Sequence, residues 1–110
     1  MIDLSLLKNL MSGDEKLVAR FILIFKTQVP AQVRQLPGLC ENQEWEELST
    51  SFHSLKTQFS YLGITEFAEQ MREMEENVDN GDTSSIAAGI SQFIKAFDQF
   101  MQAEFPENSL

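Results

Sequence analysis

Leu48, Phe52, Leu55, Phe59 and Leu62 recur at alternating steps of four and three residues. An α-helix turns about 100° per residue, so these steps return each side chain to one face; a strand would need a period of two. Phe67, Met71, Met74 and Val78 repeat the pattern. Ile86, Ile90, Phe93, Phe97 and Phe100, widened by Ile94 and Met101, repeat it again. Each stripe has to bury against another helix. No segment sustains period-two alternation, so the spacing predicts an all-α fold.

Glycines divide the stripes. Gly13, Gly38, Gly63 and Gly81 each follow a stretch of helical spacing, where helices commonly end in a left-handed residue. Five helices are expected: about 4–11, 14–36, 43–62, 65–80, and one from after "GDTSS" to about Glu104. Ser12 or Asp14 should open the second, with Glu15 placed for a capping box, and Pro30 should kink or split it. Asn42 is the expected cap of the third. Short connections favour antiparallel neighbours, so the expected architecture is an up-and-down antiparallel four-helix bundle with an additional short N-terminal helix. The chain of 110 residues suits a single domain over 1–110, with 105–110 expected as a frayed tail.

Charge and composition exclude several roles. A net charge of −9 repels phosphate backbones, which argues against nucleic-acid and anionic-membrane partners. No run of 18 apolar residues occurs, so no membrane span is expected, and the start has neither the basic leader nor the apolar run of a signal peptide. Cys40 is the single cysteine; it excludes an internal disulfide and fits a reducing compartment. A cytoplasmic monomer is the expectation.

The single histidine, His53, lies in "STSFHSLKTQFSYLG". On the wheel it sits roughly 160° from Leu55, so it should face solvent. Its helical neighbours are Ser49, Lys56, Thr57 and Ser60, a small polar face that a second protein can approach closely. Lys56 is the only Lys or Arg between Arg34 and Arg72, whereas Ile64–Asp82 carries seven acids and one base. The face around His53 is expected to be almost empty of carboxylates, with one cation a turn from a ring that has a neutral, nucleophilic nitrogen near neutral pH.

At these residues the chain resembles the histidine-containing phosphotransfer (HPt) family. "FHSLKTQFSYLG" is similar to that family's signature: His, an apolar residue at plus two, Lys at plus three, Gly at plus four and Gly at plus ten. These fall on His53, Leu55, Lys56, Thr57 and Gly63. "SGDEKLVARFILIF" and "MREMEENVDNGD" resemble its second and fourth helices, so the likeness covers essentially the whole chain. Two positions depart from the pattern: Thr57 replaces the Gly, and Phe52 replaces the small residue before the His. The Thr57 side chain should narrow the partner range or slow transfer, or its hydroxyl should bond the phosphoryl group; Phe52 should point into the core.

The resemblance implies a phosphorelay intermediate. His53 would accept a phosphoryl group on Nε2 from a receiver-domain aspartate and pass it to another receiver. Lys56 would offset charge on the phosphoryl oxygens, and Ser49, Thr57 and Ser60 would line the partner contact. Response-regulator receiver domains, and hybrid histidine kinases as a further class, would be the partners. Mg²⁺ would sit on the receiver, and the chain would need no cofactor of its own. It has no Gly-rich nucleotide loop, which fits a protein that is no kinase. Two other readings are a helical adaptor that binds receivers without efficient transfer, and an unrelated module whose groove takes an amphipathic helix.

Other chemistry fares worse. One His and one Cys cannot supply the roughly four ligands of a zinc site. A Cys40–His53 dyad has nothing to activate the thiol. Glu69 with Glu73 or Glu76 reads as a solvated helix face. Met71, Met74 and Met101 read as core filler, and Trp45 should pack against a neighbouring helix end.

Overall fold

Every stripe becomes a helix in the computed structural model of the chain, which describes residues 2–106. The elements are α1 (Ser5–Leu10), α2 (Glu15–Glu41), α3 (Trp45–Tyr61), α4 (Thr65–Asp79) and α5 (Ile86–Glu104). α2 packs on α3, α3 on α4, α4 on α5 and α5 back on α2, while α1 lies against α2. Short turns make successive neighbours antiparallel, and the ring closes into a four-helix bundle.

The expected end of the second helix at Leu36 is overturned. α2 continues for 27 residues through Pro30, Pro37 and Gly38. Each proline withdraws one N–H and crowds one carbonyl, but Val29, Val33 and Leu36 are buried around them, and Leu39 and Cys40 carry the packing onward. Continued burial outweighs the local breakers. A Cβ at Gly38 would meet nothing within 4 Å, so no steric demand fixes a glycine there.

The turn lies instead at Gln43, whose φ is 56°. Its N–H donates to the Cys40 carbonyl at 3.1 Å, and that of Glu44 donates to Leu39 at 2.9 Å. This pair of bonds is the Schellman closure of a helix end. Asn42 therefore caps the end of α2 rather than the start of α3, whose N-cap, Glu44, makes no side-chain capping bond. The same closure ends α3 at Gly63 and α4 at Gly81, both at positive φ as expected.

At the start of α2, Ser12 is itself left-handed, with φ of 53°, so the expected capping box does not form. Of the two expected openers it is Asp14 that caps, its carboxylate accepting from the N–H groups of Lys16 at 2.9 Å and Leu17 at 3.3 Å. Asp14→Ala should therefore lower stability by about 1 kcal/mol, read as a lower urea midpoint with an unchanged slope.

Every buried side chain among the described residues is apolar. The fully buried Phe59 ring lies 6.0 Å from Phe25, 5.4 Å from Phe67, 5.9 Å from Phe93 and 6.2 Å from Phe97. One α3 side chain thus joins all four long helices. Phe52 is buried as expected, and Trp45 packs against the core.

Phe105, the first residue of the expected tail, is packed rather than frayed. Its ring sits 6.3 Å from both Phe25 and Phe100, under the Lys26 ammonium at 5.4 Å. The rest of that expectation, at 107–110, lies outside the described residues. No helix of the described residues is long and apolar enough to cross a membrane.

The α3–α4 turn is fixed from outside. The Asp3 N–H donates to the Leu62 carbonyl at 2.8 Å. A Cβ on Gly63 would come within 2.6 Å of the Asp3 Cβ and 2.7 Å of its carbonyl oxygen. Gly63, at φ of 69°, is needed twice: for the left-handed turn and for the close crossing of residues 2–4.

Candidate functional site

His53 sits in the middle of α3, opposite the stripe formed by Leu48, Phe52, Leu55 and Phe59. Its side chain is 62% exposed. The ring is not isolated. Its Nδ1 lies 3.0 Å from Oε2 of Glu75, on α4, and the Lys56 ammonium donates to Oε1 of the same carboxylate at 3.2 Å. Glu75 is only 17% exposed. An ionised carboxylate can only accept, so this contact is made by an Nδ1–H, and in the neutral ring the Nε2 lone pair is then free.

A second contact follows the same register. Ser49 donates to Asp79 of α4 at 2.6 Å. The two pairs are 22 and 30 residues apart in sequence, the increment produced by stepping one turn along each of two antiparallel helices. α4 thus turns a row of carboxylates toward α3, and the expectation of a face almost empty of carboxylates is corrected. The carboxylates arrive from the facing helix, not from α3 itself.

The other expected site residues hold backbone. The Thr57 hydroxyl donates to the His53 carbonyl at 3.2 Å, and the Ser60 hydroxyl donates to that of Lys56 at 2.8 Å. Phosphoryl oxygens only accept, so Thr57 would have to release the His53 carbonyl before it could bond one. Its methyl group remains one turn from the ring.

Arg72, the single base in the acidic run, turns away from this row. It bonds Glu69 and Glu76 of its own helix. These bonds raise its guanidinium above the ordinary value, and Arg72 in turn holds the Glu69 carboxyl below its own. Glu69 and Glu76 are thereby a helix-surface network and not a catalytic pair. Lys56 is left as the cation beside His53.

Cys40 lies apart from the ring, at the end of α2. It lines a groove against α5 with Pro37, Ala87 and Ile90. Burial pushes its thiol up, away from the reactive thiolate. On the other flank of α3, Phe21 of α2 meets Tyr61 edge-on at 5.6 Å. Leu17 and Ile24 share the helical stripe of Phe21 and are 44% and 42% exposed. The histidine stands beside an acidic border on α4, while the exposed apolar side chains of α2 lie further along α3, at the level of Tyr61.

Sequence reading placed His53 and Lys56 on one face of the helix but did not anticipate the Glu75 carboxylate that meets both. The signal lay in the hairpin: once Gly63 fixes the turn, a residue ten before it faces α4 about ten to twelve after it. A family model described as Hpt domain matches residues 20–103. No curated protein and no solved structure matches the chain.

Proposed function

The chain belongs to the Hpt domain family, the phosphotransfer modules of two-component signalling, and we propose that it is a phosphorelay intermediate. His53 takes a phosphoryl group from the aspartate of one receiver domain and gives it to the aspartate of another. The observation that carries this reading is the exposed imidazole whose Nδ1 is held by Glu75, which leaves Nε2 as the nitrogen available for attack. Such a nitrogen is a nucleophile already oriented for in-line attack, and phosphoryl transfer is chiefly positioning and charge stabilisation.

The division of labour follows. The receiver brings the aspartate and its Mg²⁺, so this chain acts as a carrier rather than as an enzyme and needs no cofactor. The Lys56 ammonium, one turn from the ring, offsets charge on the phosphoryl oxygens. Ser49, Thr57 and Ser60 line the surface on which the receiver sits, and the apolar border of Leu17 and Ile24 extends it. Response-regulator receivers and hybrid histidine kinases are the partner classes, and the protein works as a cytoplasmic monomer.

The test is a panel of receiver domains phosphorylated on aspartate. Label should move to the chain and then to a second, unlabelled receiver. Binding without any transfer across the panel would instead favour an adaptor, for which the Thr57 side chain beside the ring is the structural motive. Lys56→Ala should slow uptake about ten-fold or more, since a charge-assisted contact formed in the transition state is worth about 1.5–3 kcal/mol. The check is the initial rate at low and high salt with helicity unchanged; an equal rate at both would assign Lys56 to the solvated face.

A further inference from the structure

α5 carries more apolar surface than its bundle neighbours cover. Phe93 and Phe97 are buried, but Ile94, which widens the stripe, is only partly so. Ala87, Ile90 and Ile94 form a second row at steps of three and four, and α2 faces it with Pro37 and Cys40, three residues apart. The α2 wall is thus built from residues beyond the expected helix end at Leu36. The two rows border an open groove of about 610 Å³, inside the roughly 300–1,000 Å³ of clefts that take ligands. Ile90, 2% exposed, is its floor.

The rims of the groove carry opposite charges, Glu41 on the α2 side and Lys95 on the α5 side. The Arg34–Asp98 ion pair ties the two antiparallel helices beyond one end. Counted from it, Lys95 stands three residues along α5 and Glu41 seven along α2, so the two charges are offset by about 6 Å along the groove. Among the described residues neither has an ion-pair partner, whereas Arg34, Lys56 and Arg72 are all paired.

We propose that this groove is a second docking site and that its occupant is an amphipathic α-helix of another protein, with an acidic flank against Lys95 and a basic flank against Glu41. An extended segment would lay unpaired backbone N–H and C=O groups against Ile90 and Ile94. A helix satisfies its own backbone and offers one apolar stripe to a groove between two others. The rim charges then act as the flanking positions of a coiled coil do, choosing the partner and its direction. A small apolar anion would answer Lys95 but not Glu41, and a second copy would bring a further net charge of −9 against the first.

The site lies away from His53. α2 packs on α5 as α3 packs on α4, so the groove occupies the edge of the bundle opposite the hairpin that carries the imidazole. A helix held there leaves the ring open, and the two surfaces can be occupied together. The inference goes beyond the relay reading and does not depend on it.

The probe is a peptide of about 18 residues, long enough to hold a helix, with leucine along one stripe, glutamate on one flank and lysine on the other in equal number. Its zero net charge removes any general attraction to the acidic chain. Binding is followed by anisotropy of the labelled peptide, for the wild type, Glu41→Lys, Lys95→Glu and the doubly reversed chain. Each single reversal turns an attractive rim pair into a repulsive one and should weaken binding about five- to ten-fold, and the double reversal should restore it. The single cysteine, Cys40, lines the groove, so its alkylation by N-ethylmaleimide should slow in proportion to the peptide bound.

No binding, or binding that leaves Cys40 alkylation unchanged, would overturn the proposal. So would equal affinity for all four chains, since the rims would then select nothing. Slower alkylation at higher protein concentration without peptide would give the groove to a second copy, and equal protection by decanoate would give it to a small apolar anion; either result would displace the helix.

Discussion

His53→Gln is expected to take up no phosphoryl group from any receiver while unfolding at the temperature of the wild type. The side chain is 62% exposed and makes no core contact, and surface substitutions of this kind usually change stability by less than about 0.5 kcal/mol. The glutamine amide can donate to Glu75 in place of the ring, so the carboxylate keeps a partner. What the amide cannot supply is a nucleophilic nitrogen, because its lone pair is delocalised into the carbonyl. The measurement is label retained on the purified variant after incubation with a phosphorylated receiver, beside a thermal melt. Label on the variant would remove His53 from the mechanism, and a melt lowered by many degrees would make it a structural residue.

The second large effect is on stability. Phe59→Ala should cost about 3–5 kcal/mol, the range for deleting a buried aromatic ring that leaves a cavity behind. That is a large share of the roughly 5–15 kcal/mol that holds a small domain folded, and it corresponds to a fall in Tm of about 10–20 °C. The reason is placement. Phe59 is fully buried and touches rings from α2, α4 and α5, so no single neighbour can move to fill the space without leaving another. A change below about 1 kcal/mol by chemical unfolding would show that the aromatic cluster repacks and that the four helices do not depend on this ring.

The contrast between these variants marks what could be read from the sequence. Phe59 and His53 were both legible because each signal is local: a helix of known period sends one inward and the other outward. The end of α2 was not legible by the same means. Pro37 and Gly38 are strong local breakers, yet Leu39 and Cys40 continue the packing and the turn forms at Gln43. A residue without glycine's freedom adopts the left-handed conformation because the closure around it satisfies the carbonyls of Leu39 and Cys40. Tertiary burial won over local propensity, and propensity was all the sequence displayed.

Glu75 was illegible for a different reason. Within its own segment it is one acid among many, and nothing in its neighbours separates it from Glu73 or Glu76. Its significance comes from a residue 22 positions away, through a register set by the Gly63 turn and by Asp3 lying across it. Counting outward from that turn would have paired the two helices and singled out Glu75. The residue pattern pointed to His53 and Lys56, and the helical hairpin supplied their shared partner.

One nitrogen of the His53 ring is held by Glu75 of α4, which leaves one for chemistry, and under the proposed relay reading that asymmetry sets the timetable of transfer. With a single open edge, the donor and the acceptor compete for the same seat. The first must depart before the second can arrive, so no three-protein assembly can move the phosphoryl group in one event. Throughput is then limited by how quickly partners exchange and by how long the charged ring survives alone in water between visits. An excess of unphosphorylated donor would slow delivery simply by occupying the seat, and the concentrations of the two receivers become part of the signal.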